Sequence, residues 1–324
     1  MGRFSQILHP DGFHGHGRTR RFFEGWYFKL VSADLSQRWA IIPGLFLGED
    51  GAAEAFVQVL DGVNARTWYV PFARDAFQAS ADRLDVRVGD CHFSTEGLVL
   101  RGDGLPLEGA LQFGPLTRWP VTLRSPGFMG WYGYVPFMEC YHGVVSLHHS
   151  LSGTLSVEGR RVSFDGGAGF AEKDWGAAFP AGYVWMQANQ FAQSGTSLVA
   201  SVAIIPWLFS SFRGFIVGLW HDGRLHRFAT YTGAKIERLT IDDAYVEWTL
   251  ADRGQRLELR AERRRGGILH APVRSQMHRR VEETLDARVH VRLTERSGRV
   301  VFEGDAGCAG LEVHGDLERL LATG

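Results

Sequence analysis

The chain has 324 residues, of which 45% are hydrophobic, and its formal net charge at pH 7 is −1. This length allows one very large core or two domains of about 150 residues, and the balanced charge argues against a chain built to bind nucleic acid or an anionic membrane surface. The three cysteines, Cys91, Cys140 and Cys308, fit neither a disulfide framework nor a zinc motif, so we expect a reducing compartment.

The first 21 residues contain no apolar stretch of the kind that a secretory signal requires. The most apolar run, SLVASVAIIPWLF at 197–209, is too short to cross a bilayer as a helix. These two features predict a cytoplasmic protein, with membrane association at 204–209 as an open alternative.

The first strand signal is RFFEGWYFKL at 21–30. Its alternation puts Glu24, Trp26 and Phe28 on one face, which should point inward because it is apolar. A buried carboxylate must be paired with a cation or hydrogen-bonded. Glu24 is therefore expected either to form an ion pair with an arginine such as Arg21 or to face a bound ligand beside Trp26.

Turn signals between apolar stretches recur along the chain and predict its fold class. The dipeptides at 158–159, 222–223 and 297–298 each separate two runs of alternating hydrophobicity, which is the pattern of a β-hairpin. Closely spaced hairpins with few helical periods are typical of antiparallel sandwiches and barrels. We predict an all-β protein with a short C-terminal helix in GDLERLLATG, for which Asp316 is the N-cap.

The segment WGAAFPAG, at 175–182, is rich in glycine, alanine and proline and separates two strand-rich halves. Each half opens on an aromatic strand. We predict two antiparallel β-barrel or sandwich domains, 1–178 and 179–324, with 170–191 at their junction.

A cluster of titratable residues lies in VPFMECYHGVVSLHHSLSG at 135–153. If this segment is extended, His142 and His148 share one face and Glu139 lies on the other. Their spacing matches no zinc motif, so we expect no metal and interpret Glu139 and His142 as ligand-facing, with His142 able to transfer a proton. A metal site that includes the histidines of FHGHG at 13–17 is the alternative.

The stretch FAEKDWG at 170–176 supplies the strongest catalytic candidates. Alternation puts Glu172 and Asp174 on one face of a strand, and Lys173 and Trp175 on the other. Two carboxylates on one face oppose each other's ionisation, which favours a general acid with an assisting base. In the alternative, Lys173 and the arginines neutralise both acids in a salt-bridged turn.

The next strand, YVWMQANQF at 183–191, places Trp185, Gln187 and Asn189 on one face. Amides in an aromatic wall are typical of pockets that orient the polar head of a ligand. We predict that these three residues line the same interior as 170–176. Alternatively, they bridge the two domains or satisfy backbone groups.

The run at 197–209 has two possible roles. It is a buried strand, or its end forms an exposed apolar loop that contacts a membrane, because Pro206 interrupts strand pairing. Where Trp207 and Phe209 point decides between them.

The chain lacks the motifs of nucleotide and serine-hydrolase chemistry: it contains no P-loop, no GxSxG elbow and no GxGxxG that opens a helix after a strand. We therefore expect no cofactor. What remains is acid–base chemistry without one, or simple binding, in a cavity lined by aromatic residues.

Three stretches resemble the tocopherol cyclase family: RRFFEGWYFKL at 20–30, FAEKDWGAAFP at 170–180 and YVWMQANQF at 183–191. GFHGHG and the segment 271–293 fit the order of the family more loosely. Plant members of the family carry asparagine at the position of Asp174, so an acid there is not part of the common pattern. The positions that match one by one are Glu172, Lys173, Trp175, Gly176, Phe179, Pro180, Trp185, Gln187 and Asn189.

The resemblance implies a tandem lipocalin-like fold and an isomerase reaction, in which a prenyl double bond is protonated and a phenol oxygen closes a chromanol ring. It implies Glu172 as the proton donor, with Lys173, Gln187 and Asn189 as positioning groups. Asp174 is a further catalytic candidate that rests on the strand alternation alone. The implied partner is a hydrophobic molecule, prenylated or polycyclic. A carrier of lipids or terpenoids and a hydratase are the alternatives on this fold. Aromatic faces for the carbocation would come from Trp26, Trp175 and Trp185.

Overall fold

The computed structural model describes residues 7–273 and 276–322. Nearly all of the regular structure in these residues is antiparallel β-strand, and a short helix (Leu317–Ala322) follows the last strand. The prediction of an all-β protein with a short C-terminal helix is confirmed. No helix in the described part of the chain is long and apolar enough to span a bilayer.

The chain divides into two compact units. Within the described residues, the first unit runs to Phe179 and also includes Gly267–Val281; the second comprises Pro180–Gly266 and the chain from Glu282 onward. The first unit thus ends next to the predicted boundary at 178/179. The segment 267–281 belongs to it as well, although the sequence analysis assigned that segment to the second domain.

The first unit is built around a sheet of twelve strands among the described residues, in the order β4-β3-β2-β1-β14-β12-β9-β8-β7-β6-β5, with β13 paired to β12. Contacts of β2 and β3 with β6 show that the sheet curls over its own core. β10 and β11 form a separate ribbon. The strands are β1 (Phe22–Val31), β2 (Arg38–Leu47), β3 (Ala53–Asp61), β4 (Arg66–Ala73), β5 (Phe77–Ala79), β6 (Asp85–Val88), β7 (Cys91–Ser94), β8 (Gly97–Leu100), β9 (Leu107–Phe113), β10 (Val121–Thr122), β11 (Ser125–Pro126), β12 (Cys140–Val157), β13 (Arg160–Ser163) and β14 (Gly167–Gly176).

The second unit contains most of a sheet of ten strands among the described residues, in the order β18-β17-β16-β15-β24-β23-β21-β20-β19, with β22 paired to β23. β22 lies in the first unit, and β23 starts there and continues into the second. The strands are β15 (Gly182–Ala188), β16 (Ser197–Trp207), β17 (Ser210–His221), β18 (Arg224–Ala229), β19 (Lys235–Ile241), β20 (Tyr245–Ala251), β21 (Gln255–Glu262), β22 (Gly267–Val273), β23 (Gln276–Glu295) and β24 (Val300–Gly315). Short 3-10 turns lie at Arg74–Ala76, Gly130–Tyr134 and Thr230–Thr232.

The alternation predicted for 21–30 builds the inner face of the first sheet. Trp26, Phe28 and Leu30 are buried in the core of the first unit. Burying each such side chain contributes roughly 1.5–3 kcal/mol. Because Glu24 shares this face, the same burial carries its carboxylate into the interior, where it is fully buried.

The predicted turns and the terminal cap are also present. Two-residue turns at 158–159 and 222–223 join β12 to β13 and β17 to β18. The carboxylate of Asp316 accepts a hydrogen bond from the backbone N–H of Arg319 at 3.0 Å, which is the contact of an N-cap.

Candidate functional site

Strand β14 runs between β1 and β12 and carries the FAEKDWG residues. On β1, Trp26 is the strand partner of Lys173. Because side chains alternate along a strand, Lys173 and Trp175 lie on the core face with Trp26, while Glu172 and Asp174 lie on the opposite face. This is the division that the sequence predicts.

A buried ion pair lies on the core face. Nζ of Lys173 donates to the carboxylate of Glu24 and to the carbonyl oxygen of Gly12. The backbone N–H of His14 donates to Oε2 of Glu24 at 2.8 Å, and Nδ1 of His14 lies 3.2 Å from Nζ of Lys173. Both charged side chains are completely buried. Lys173 therefore uses its donors within this cluster.

Burial and charge act against each other in this pair. Burial by itself would raise the pKa of Glu24, but the attraction of Lys173 and His14 outweighs it and leaves that pKa below its usual value. Burial lowers the pKa of Lys173, and the Glu24 carboxylate opposes that shift. Each partner thus depends on the other to remain charged away from water.

The prediction that Arg21 pairs with Glu24 is wrong. Nε of Arg21 lies 3.2 Å from a carboxylate oxygen of Glu49, and both side chains are exposed. Arg21 precedes β1, whereas Lys173 projects from the neighbouring strand onto the face that Glu24 occupies. Among the described ion pairs, Lys173 pairs with Glu24 on β1. It does not neutralise Glu172 or Asp174 in any of these pairs, so the alternative of a salt-bridged turn at 170–176 does not hold for Lys173.

Aromatic rings enclose the ion pair. Nζ of Lys173 lies 4.7 Å from the ring centroid of Trp26 and 4.9 Å from that of Trp175, which is within cation–π range. The ring of His14 stacks on Trp175 with centroids 4.1 Å apart, and Tyr141 stacks on Trp175 at 5.4 Å. The contact of His14 holds the segment before β1, which we call the N-terminal arm, against β14.

Glu172, His142 and Asp174 lie together around the opposite face of β14, and we call them the acid cluster. Nε2 of His142 hydrogen-bonds Oε2 of Glu172 at 2.8 Å. Asp174 is the strand partner of His142, and the thiol of Cys140 donates weakly to its Oδ1 at 3.9 Å. Burial, opposed by His142 and reinforced by Glu172, raises the pKa of Asp174 to about 6. This carboxyl group keeps its proton closer to neutral pH than an ordinary aspartate does.

A cavity of about 640 Å³ opens in the first unit, and the acid cluster reaches it through His142. Glu139 also lines it; burial raises the pKa of Glu139, and no cation pairs with that carboxyl group among the described residues. The rest of the wall is mixed. Its larger apolar and aromatic side chains are Phe22, Phe128, Met129, Phe137, Met138, Tyr141 and Trp175, and its polar side chains are His14, His16, Arg18 and Arg21.

Trp185, Gln187 and Asn189 do not line this cavity. All three are buried in the second unit, where β15 pairs with β16 and β24 rather than with β14. The prediction that they share an interior with 170–176 is therefore wrong for this cavity. The short link at 177–181 joins strands of different sheets, which local alternation cannot reveal.

The register agrees with the prediction that His142 and His148 share a face. The pairing of β12 with β14 shifts between Val144 and Ser146 and again between Ser146 and His149. The two shifts compensate, so that His149 pairs with Gly169 and His148 returns to the face of His142. His148 does not line the cavity. Within residues 7–273 and 276–322, no group of three or more His, Cys, Asp or Glu side chains is arranged to hold a metal ion.

Comparison with known proteins identifies the family. The model of the family described as tocopherol cyclase-like matches residues 106–315, which is more than half of the chain. The chain belongs to the tocopherol cyclase-like family. The match contains the acid cluster and β15, whereas β1 and the N-terminal arm precede it.

Relatives in this family align along most of the chain. A protein of Oryza sativa subsp. japonica named as a chloroplastic tocopherol cyclase is 22% identical, over 94% of this chain and 78% of its own length. A Zea mays protein of that name is 23% identical, over 69% of this chain and 58% of its own length.

Two solved structures share the fold of this tocopherol cyclase-like chain. An AttH-type protein from Nitrosomonas europaea superposes with a TM-score of 0.50 and 16% identity, covering 94% of this chain and 95% of its own. CghA, solved with Sch210972, superposes with a TM-score of 0.55 and 12% identity, covering 91% and 89%.

Sequence reasoning missed two contacts of the site. His14 was considered only as an alternative metal ligand, but it touches Glu24 and Lys173. Cys140 was considered only as a disulfide or zinc candidate, but it lies beside Asp174. No local signal predicts either contact, because each depends on which strands become neighbours.

Proposed function

We propose that this chain is a cyclase that binds a hydrophobic molecule bearing an alkene and a hydroxyl group and closes a ring between them by acid catalysis. The observation that carries the proposal is the acid cluster: a buried Glu172–His142 hydrogen bond beside Asp174, on the strand that holds the family motif. His142 also lines the cavity, so the cluster reaches the space where a substrate would bind.

Asp174 is the proposed proton donor. Protonation of an alkene needs a carboxyl group that still carries a proton close to neutral pH, and the pKa of Asp174 is raised to about 6, so that a fraction of Asp174 remains protonated at pH 7. Glu172 instead hydrogen-bonds His142, which suits it to orient the imidazole. This differs from the family resemblance, which implied Glu172 as the donor.

The acid cluster gives one proton to the substrate and takes one back in each reaction cycle. His142, which lines the cavity beside Asp174, relays the proton of Asp174 to one alkene carbon, and the hydroxyl oxygen of the substrate bonds to the cation formed at the other carbon. The hydroxyl proton leaves to His142, whose contact with Glu172 stabilises the imidazolium. Return of that proton to Asp174 restores the enzyme, so the product is an isomer of the substrate.

Aromatic walls support the cationic stage of this reaction. Tyr141, Phe128 and Trp175 line the cavity, and aromatic rings stabilise nearby positive charge. Lys173 is no longer a candidate for proton transfer, because Glu24, Gly12 and His14 surround its Nζ. We assign it to holding the aromatic wall in place.

The substrate class follows from the relatives. Proteins named as tocopherol cyclases align along this chain, so a prenylated phenol or hydroquinone is the proposed substrate. The size of the cavity and its mixed aromatic and polar lining suit the phenolic head of such a molecule. A carrier that holds the same ligand without reaction is the second candidate, favoured by the same lining.

A turnover assay distinguishes a cyclase from a carrier. We expect the purified protein to convert a prenylated hydroquinone, dispersed in mild detergent under argon, into a chromanol of identical mass that elutes separately in liquid chromatography. Binding is followed in the same samples by quenching of tryptophan fluorescence. Saturable quenching with fully recovered substrate would identify a carrier and contradict the cyclase.

A further inference from the structure

The hairpin that joins β16 to β17 ends in two exposed apolar side chains. Trp207 pairs with Ser210, so Leu208 and Phe209 alone form the turn. Leu208 is 75% exposed and Phe209 is fully exposed. The strand is buried only in its earlier part, and it continues through Pro206, which pairs with Ser211 near the strand end. The run at 197–209 therefore combines a core strand with an apolar tip.

A two-residue turn does not require an apolar side chain at the position of Leu208 or Phe209. Leu208 has a φ of +51°, a left-handed conformation that glycine or asparagine adopts far more easily than leucine. A glycine at this position and a serine after it would form the turn with less strain and expose less apolar surface to water. Leu208 thus combines a strained backbone conformation with an exposed apolar side chain, and both lower the stability of the protein in water.

The surroundings of the tip are uncharged over nine residues, 204–212. Trp207 lies half-buried behind the tip, with its ring edge-on to Phe212. Arg213 follows this uncharged run and donates to backbone carbonyls of the C-terminal helix, and Arg319 donates to Oγ of Ser211 at 2.8 Å. Two acids on and next to that helix, at 316 and 318, offset these charges.

The size of the tip indicates what covers it. One leucine and one phenylalanine side chain offer at most ~400 Å² between them, about half of what one partner contributes to a stable protein interface. A protruding pair with a tryptophan behind it matches the way in which side chains enter a lipid surface, where no complementary groove is needed.

We propose that Leu208 and Phe209 insert into the apolar layer of a lipid surface, with Trp207 at the level of the headgroups. Because the neighbouring charges offset each other, the insertion is driven by apolar burial and does not require anionic lipid. With only two inserted side chains, binding is weak and reversible. This inference does not rest on the proposed function, since a carrier and a cyclase would both use such a contact.

Vesicle flotation of the full chain tests the inference. We expect co-flotation with phosphatidylcholine vesicles, and little more when phosphatidylglycerol is added. Leu208→Gly/Phe209→Ser should lower the partition coefficient at least roughly tenfold, because the apolar area that enters the lipid is lost. The melting temperature should stay equal or rise, because glycine adopts the left-handed φ without strain.

A matched control comes from the turn after β1. Leu35 also has a left-handed φ, +60°, and is 41% exposed, so Leu35→Gly relieves similar strain away from the tip. Its flotation should equal that of the unaltered chain. Unchanged flotation of Leu208→Gly/Phe209→Ser, or binding only to anionic vesicles, would overturn the inference. An oligomer that falls apart in this variant, with no flotation of either form, would show that a second copy covers the tip.

Discussion

Replacing Lys173 by methionine is expected to lower the free energy of unfolding by about 3–5 kcal/mol, which is among the larger effects of a single substitution. The variant leaves the Glu24 carboxylate completely buried without its cation. Methionine is similar in length to the aliphatic part of lysine, so little packing is lost. Urea denaturation at constant pH, read by tryptophan fluorescence, measures the effect.

The pH dependence of the stability loss shows whether the unpaired Glu24 carboxylate causes it. In the unaltered chain the pKa of Glu24 is below its usual value, so its stabilising effect is present above pH ~4.5 and is lost as the pH falls through the folded-state pKa. Without Lys173, burial raises the pKa of Glu24 instead. The stability deficit of Lys173→Met should therefore be largest near neutral pH and shrink on acidification, as the orphaned carboxylate takes up a proton.

Two variants control this experiment. Lys173→Met/Glu24→Gln removes both charges and should recover most of the lost stability, because no buried charge is left unpaired. Arg21→Met breaks the exposed Arg21–Glu49 pair and should change little. A deficit in Lys173→Met no larger than that in Arg21→Met would contradict a structural ion pair, as would a double variant less stable than the single one.

Replacing Asp174 by asparagine is expected to lower kcat for ring closure on the order of a hundredfold or more. Asparagine keeps the shape of the side chain but has no proton that it can give to carbon. The variant should fold, because the site already favours the neutral form of Asp174. Ligand affinity, measured by tryptophan quenching, should change little.

The rate should also depend on pH in a definite direction. Only the protonated carboxyl group donates, so kcat should fall about tenfold per pH unit above the pKa of about 6. Asp174→Asn should lose this dependence in its residual activity. Glu172→Gln, which alters the orientation of His142, should lose on the order of tenfold. Its pH profile should move to lower pH, because the charge of Glu172 contributes to the raised pKa of Asp174.

A matched control for these variants is Asp103→Asn, which removes an exposed carboxylate in a turn and should leave kcat unchanged. If activity survives in Asp174→Asn and is abolished in Glu172→Gln, Glu172 is the donor, as the family resemblance implied. A kcat that is flat from about pH 5 to about pH 8 would exclude either carboxyl group as the acid in the rate-limiting step.

The sequence predicts which face each site residue occupies, because strand periodicity is local. Alternation alone places Glu24 with Trp26, and separates Glu172 and Asp174 from Lys173. It does not predict that β1 and β14 are neighbours. The ion pair of Glu24 and Lys173 joins residues 149 positions apart, so the search for a cation near Glu24 in the sequence led to Arg21.

The remaining errors share a physical origin in long-range pairing. Gln187 and Asn189 follow β14 closely in the chain, but the link at 177–181 leads into another sheet. The segment 267–281 joins the first unit although most of the chain around it belongs to the second.

Running the reaction in D₂O tests the central proposal most directly, because it follows the proton that the acid cluster delivers. With a prenylated hydroquinone as substrate, we expect a chromanol with one carbon-bound deuterium, next to the carbon that forms the new bond to oxygen. That label should persist after back-exchange in H₂O, since a C–D bond does not exchange there. A ring product without carbon-bound deuterium, or no ring product from folded protein that binds the substrate, would contradict acid-catalysed cyclisation by this chain.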